Sequence, residues 1–215
     1  MNSQPRSHML ENLTIRQAFG TSPNVLSEVL RDEVNLSVWQ RDLPAQIEDF
    51  SELVVRHGQS LADDRVIEVS EHRQPELRGL LPGTEDFHGY EAFVADVRWI
   101  VEAFTCLVDA RRVGLRLRVL EGVMCPRFHV DHVPLRLLTT YAGPGSEWLE
   151  EGSIDRIRLH LDQPDRAHVN RLVAGEIALL KGERWIGNEG RGLVHRSPGA
   201  AQGNHRLLLS LDWLA

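Results

Sequence analysis

From position 90 to 108 the apolar residues Tyr90, Phe93, Val94, Val97, Ile100, Val101, Phe104, Leu107 and Val108 recur at three- and four-residue spacing. That period predicts an amphipathic helix over about 89–110, with its stripe turned towards a core. At Val113 the period falls to two. Val113, Leu115, Leu117 and Val119 alternate with Gly114, Arg116 and Arg118, the pattern of a half-buried strand. Glu121-Gly122 turns the chain. Further short β-like runs follow at 123–128, Leu135–Ala142, 154–161, 168–173, 176–181, 192–195 and Arg206–Trp213. With the strand from Val113 they make eight, a number and spacing that suggest a jelly roll or double-stranded barrel.

The first half of the chain reads as helical. Ser22-Pro23 offers an N-cap followed by proline at the first helical position, leading into Val25, Leu26, Val29 and Leu30. A second helix is predicted over about 44–57, with Ile47, Phe50, Leu53 and Val54 on its apolar face and Gly58 as its stop. Residues 62–88 are polar and broken by Pro75, Gly79, Pro82 and Gly83, which predicts a loop able to act as a lid. The expected class is therefore α+β. A mainly helical support region over 1–112 packs on a C-terminal antiparallel double-stranded β-helix, jelly-roll-like, over 113–215, which is the expected metal-binding core.

Composition narrows the functional classes. Apolar residues are 42% of the 215 and the formal net charge is −7, so a real core is expected and a nucleic-acid partner is not. Two cysteines, Cys106 and Cys125, do not make a disulfide framework. No apolar run has transmembrane length, and residues 1–20 lack the apolar stretch of a signal peptide. The expectation is a cytoplasmic protein with a small-molecule or peptide substrate and no membrane partner.

His129-Val130-Asp131 is a His-x-Asp. In an extended segment its imidazole and carboxylate share a face and can chelate one ion. The chain has ten histidines, and a second match, His160-Leu161-Asp162, exists. Position separates the two. A metal triad needs a third ligand from elsewhere in the fold, and His195, after a glycine-rich turn, is the candidate. The stretch from Asp131 to His195 accommodates four short strands, whereas that from Asp162 accommodates about two. His160 also lies opposite the apolar set Ile157, Leu159 and Leu161. Arg206 opens the last strand, where a guanidinium can clamp a carboxylate bidentately; read alone, it is an arginine at a strand start. A zinc reading stands beside this one, because Cys125, His129, Asp131 and His132 place four potential ligands within eight residues. His132 is also a candidate for orienting a ligand. No Gly-x-Ser-x-Gly or Walker-type loop is present. Gly143-Pro144-Gly145 reads as an ordinary tight turn.

The ordered set His129-x-Asp131, His195 and Arg206 resembles that of the iron(II)- and 2-oxoglutarate-dependent oxygenases. The resemblance covers roughly residues 113–213. It implies that His129, Asp131 and His195 hold Fe(II) as catalytic metal ligands and that Arg206 binds the far carboxylate of 2-oxoglutarate. Arg118, Thr139 and Tyr141 are candidates, by strand position, for a second anchor of that cosubstrate. The whole chain also resembles an uncharacterised bacterial family, a domain of unknown function associated with zinc-responsive gene clusters. That likeness keeps Zn(II), in a zinc-homeostasis protein without oxygenase activity, as the alternative.

Overall fold

The structure is a computed structural model that describes residues 14–58, 61–70, 74–122, 124–159, 164–199 and 205–214. Among these described residues ten strands form two sheets. The first five are β1 (Arg16–Gly20), β2 (Val34–Trp39), β3 (Ala62–Glu68), β4 (Arg112–Leu120) and β5 (Leu135–Ala142). The others are β6 (Glu147–Leu149), β7 (Val169–Arg171), β8 (Ile177–Lys181), β9 (His195–Arg196) and β10 (Arg206–Trp213). The large sheet has seven strands in the order β1-β2-β8-β5-β10-β4-β3, and the small sheet runs β7-β6-β9. Every pairing is antiparallel except β1 with β2. An isolated antiparallel bridge joins His129 to His195 and extends the small sheet by one position.

In the C-terminal half the pairings are nested. β4 pairs with β10, His129 with β9, β5 with β8, and β6 with β7. The first segment thus meets the last, the second meets the next to last, and so inward. This arrangement brings a motif near position 130 against one near 195.

Two α-helices, α1 (Ala45–Arg56) and α2 (Tyr90–Leu107), pack on each other and on one face of the large sheet. The α2 stripe of Phe93, Val97, Ile100, Val101 and Phe104 is buried in one cluster with Leu115, Leu117, Leu137, Leu179, Leu207, Leu209 and Leu211 of the sheet. Beneath α2, Arg41 forks onto Asp96 at 2.7 and 2.9 Å, and Tyr141 donates to the same carboxylate at 2.7 Å. A second cluster, with Leu36, Val38, Leu138, Trp148, Leu172, Leu180 and Leu193, fills the space between the two sheets. No helix among the described residues is long and apolar enough to cross a membrane.

Several predicted elements differ from those observed. The region expected to be mainly helical also contributes β1, β2 and β3, which join both edges of the large sheet. The apolar run after Ser22 forms a 3-10 helix, Pro23–Leu30, instead of an α-helix. The expected lid over 62–88 opens with β3, which pairs with β4 over seven residues. Its Asp-Asp-Arg run looks unlike a strand, yet Arg65 forks onto Asp63 and also donates to the carbonyls of Arg78 and Gly79. Tertiary pairing here overrides weak β propensity. The strand expected at 154–161 is absent from its described part. Asp155 accepts a bond from the Ile157 N–H at 3.0 Å and starts a 3-10 turn, the usual competition of a short polar side chain with a ladder. Ile157 is exposed. The run at 123–128 contributes no named strand, since Pro126 brings no N–H to a ladder.

Candidate metal centre

His129 and His195 face each other across the small sheet because their backbones form a close hydrogen-bonded pair. Each N–H donates to the other's carbonyl, at 2.9 and 3.0 Å. The two rings lie 4.6 Å apart between centroids. Asp131, two residues on, returns to the same side. The ligand atoms of His129, Asp131 and His195 all lie within 4.8 Å of one another. His129 Nε2 is 3.7 Å from Asp131 Oδ1, and His195 Nε2 is 3.3 Å from Asp131 Oδ2.

The tautomers follow from the backbone. His129 Nδ1 lies 3.0 Å from the Arg127 carbonyl, and His195 Nδ1 lies 3.1 Å from the Leu193 carbonyl. A carbonyl can only accept, so each Nδ1 carries the proton and each Nε2 presents a lone pair to the cluster. Burial, then the neighbouring His195, holds the His129 pKa below its ordinary value, which keeps this imidazole neutral. Burial alone would raise the Asp131 pKa. When His195 is protonated its Nε2–H donates to this carboxylate, and that bond and charge, with Arg136 and His129, overcome burial and bring the pKa down to about 2. Arg136 orients the carboxylate by donating to Oδ2 at 2.7 Å, and is itself braced by Asp212 at 2.6 and 3.1 Å.

This donor set suits a divalent ion. Two neutral imidazoles and one carboxylate on one side of an ion are the residue types of a facial triad. Ligands about 2.1 Å from one metal at right angles lie about 3 Å apart, and the two spacings to Asp131 here are 3.3 and 3.7 Å.

Arg206 reaches the same pocket from the start of β10. It is 3% exposed. Its guanidinium donates to the hydroxyls of Ser197 at 3.0 Å and Ser146 at 3.4 Å, and no carboxylate among the described residues pairs with it. Burial lowers its pKa to about 10, still far above neutrality, so it stays charged. Gly143 lets the chain pass beside this arginine. Its φ is +81°, and a Cβ there would stand 2.2 Å from the His205 carbonyl and 2.9 Å from Arg206 Cβ. The predicted turn thus passes in close contact with the start of β10, the neighbour of β5 in the large sheet.

The remaining sequence candidates divide. Cys125 lines the pocket but is not among the three clustered donors. Its backbone pairs with Ser197. His132 is exposed. Arg118 lines the pocket. Thr139 and Tyr141 do not, because Thr139 sits in register with Ile177 and Leu209 on the helix-facing side of the sheet and Tyr141 is buried under α2. His160 and Asp162 lie outside the described residues. Sequence reasoning missed Arg136, Ser146, Arg196, Ser197 and Asp212. Only Arg136 and Asp212 carried a signal, as charges at alternate positions of apolar strands.

The model of a family described as "Protein of unknown function (DUF1826)" matches residues 20–212. No curated protein matches the chain. Among solved structures, the chain is similar to a prolyl-4-hydroxylase of Pseudomonas putida, at 11% identity over 88% of this chain and 96% of that one, with TM-score 0.46. It is similar to a full-length Neurospora crassa protein in complex with alpha-KG and 5-formyluracil, at 10% identity over 94% and 85%, with TM-score 0.49. A third is an oxidoreductase of the 2OG-Fe(II) oxygenase family from Burkholderia pseudomallei, at 11% identity over 92% and 94%, with TM-score 0.41.

Proposed function

The chain belongs to the DUF1826 family, and we propose that it is a mononuclear, non-haem Fe(II)- and 2-oxoglutarate-dependent oxygenase of the hydroxylase type. Arg206 carries this reading. A guanidinium buried without a carboxylate is unfavourable unless an anion completes it, and this one shares a pocket with the His129–Asp131–His195 cluster. A protein that only holds a metal has no use for it. The nested strand pairing supports a double-stranded β-helix as the scaffold.

In this reading His129 Nε2, His195 Nε2 and the Asp131 carboxylate would hold Fe(II). Arg206 receives the far carboxylate of 2-oxoglutarate in a fork, with the Ser146 and Ser197 hydroxyls holding the guanidinium in place. Arg136 keeps the Asp131 carboxylate turned to the metal. Leu138 and Leu208, which line the pocket, exclude water from its wall. Bound Fe(II) with 2-oxoglutarate and dioxygen supplies the oxidising power directed at a substrate C–H bond, and the protein's part is to position these components.

The test is calorimetric titration of 2-oxoglutarate into the Mn(II)-loaded protein. Wild type should bind. Arg206→Ala should keep its metal and lose cosubstrate affinity by about 3 kcal/mol, the scale of a broken buried pair. Ala at His129, Asp131 or His195 should lose the metal itself. Metal binding without 2-oxoglutarate binding in the wild type would overturn the oxygenase reading and favour a zinc protein.

A further inference from the structure

We infer that Arg116 and Arg118, side by side on β4, form a second anion-binding pair in this pocket that takes a carboxylate or phosphate group of the substrate. The inference rests on the oxygenase reading for the word substrate, but the anion site itself is tested separately. Both residues line the pocket together with His129, His195 and Arg206. They stand on the face of β4 that alternates against the buried Leu115 and Leu117. In register, Arg118 lies opposite Leu208 and Arg116 opposite Ser210. The pair therefore flanks β10 along the stretch between Arg206 and Asp212. Residues two apart on one strand face sit about 7 Å apart, so two guanidinium groups are held where they repel.

The local charges do not balance. Five arginines line the pocket: Arg116, Arg118, Arg136, Arg196 and Arg206. The carboxylates that touch them are Asp64, Asp131, Asp212 and Glu147. Asp131 serves the metal. Asp212 is shared between Arg116 and Arg136. Glu147 is shared with Arg171. A divalent cation adds two positive charges and 2-oxoglutarate removes two, so the loaded pocket keeps a positive surplus. Arg118 has a half-exposed partner, Asp64, at 2.5 Å, and its own Nε is buried with no acceptor among the described residues. Burial, then Arg136 and Arg118, lowers the Arg116 pKa, the direction expected for a cation crowded by cations. A bound oxyanion would relieve this crowding and fill the vacant donors.

The probe is inorganic phosphate, titrated into protein loaded with Mn(II) and 2-oxoglutarate, with the metal's broadening of the phosphate phosphorus resonance as the readout. Wild type should show saturable broadening. Arg116→Gln/Arg118→Gln should weaken it by at least about tenfold while 2-oxoglutarate still binds. Asp64→Asn removes the competing carboxylate at a half-exposed position and should tighten phosphate binding. That opposite sign holds even if the double variant folds poorly. Equal broadening in wild type and double variant would overturn the inference, as would loss of 2-oxoglutarate from the double variant, which would make the pair a cosubstrate anchor. If wild type binds no 2-oxoglutarate, the oxygenase reading fails, and the same phosphate titration with Mn(II) alone still decides the anion pair.

Discussion

On the helix side of β10 stand Leu207, Leu209 and Leu211, all fully buried. On the other side of the same strand stand Arg206, Leu208, Ser210 and Asp212, three of them polar and nearly as buried. Strands β4 and β5 divide in the same way, with Arg116, Arg118 and Arg136 on the pocket side and Leu115, Leu117 and Leu137 under the helices. A strand sends alternate side chains to opposite faces, so one backbone serves two environments. The helix face is filled by apolar contact, which stabilises the fold. The pocket face is filled by charges in ion pairs and by one guanidinium that pairs with no carboxylate among the described residues, which a fold selected only for stability would avoid. The difference marks the pocket face as the candidate site, because polarity that persists under burial is costly unless it is paired.

Substitutions can test how separate the two faces are. The largest effect is expected from the helix face. Phe93 is fully buried, with its ring 4.8 Å from Phe50 and 4.7 Å from Tyr141. Phe93→Ala should lower stability by about 3–5 kcal/mol in urea unfolding, while the folded fraction keeps its metal stoichiometry. Loss of metal from the folded fraction would show that the faces are coupled.

The next effect belongs to the pocket face and depends on pH. The folded pKa of Asp131, about 2, lies below its ordinary value of 3.8. Its charged form therefore stabilises the metal-free protein above the ordinary value, and that stability is lost as pH falls towards 2. Asp131→Asn should remove about 2 kcal/mol at neutral pH and flatten this part of the acid limb in pH-dependent denaturation. An unchanged acid limb would contradict the ion pairs to His195 and Arg136.

A smaller effect of opposite sign is expected at Arg206. Replacing a buried charge by an apolar residue of similar length is often neutral or stabilising. Arg206→Met should raise stability by about 1 kcal/mol in thermal unfolding. A clear loss of stability would mean that the two serine hydroxyls satisfy the guanidinium on their own. Smallest of all, Cys125→Ser should change stability by less than about 0.5 kcal/mol and leave metal stoichiometry unaltered. A thiolate–Co(II) absorption band in wild type that this variant lacks would bring Cys125 into the metal shell.

As candidates, His129, Asp131, His195 and Arg206 are legible in the sequence, since an ordered set of residue types survives as a string. So are α2, β4, β5 and β10, because each is long enough for its period to show and each buries a continuous apolar face. The N-terminal strands are not. β3 carries two aspartates and holds its place by pairing with β4 and by the Arg65 contacts, interactions with residues distant in the chain. β9 is two residues long, too short for any period.

Local spacing also determined that Arg116 and Arg118 share a face of β4. Only the tertiary structure decided that this face looks into a pocket and not into solvent. Alternation reports two sides of a strand but not what covers each, and that depends on the small sheet, whose pairings nest inside those of the large sheet, where Val113 meets Trp213. The same closure brought Arg136, Ser146, Ser197 and Asp212 to the site, from positions with no shared motif. A buried charge is understood only through its partners, and partners distant in sequence are chosen by the fold.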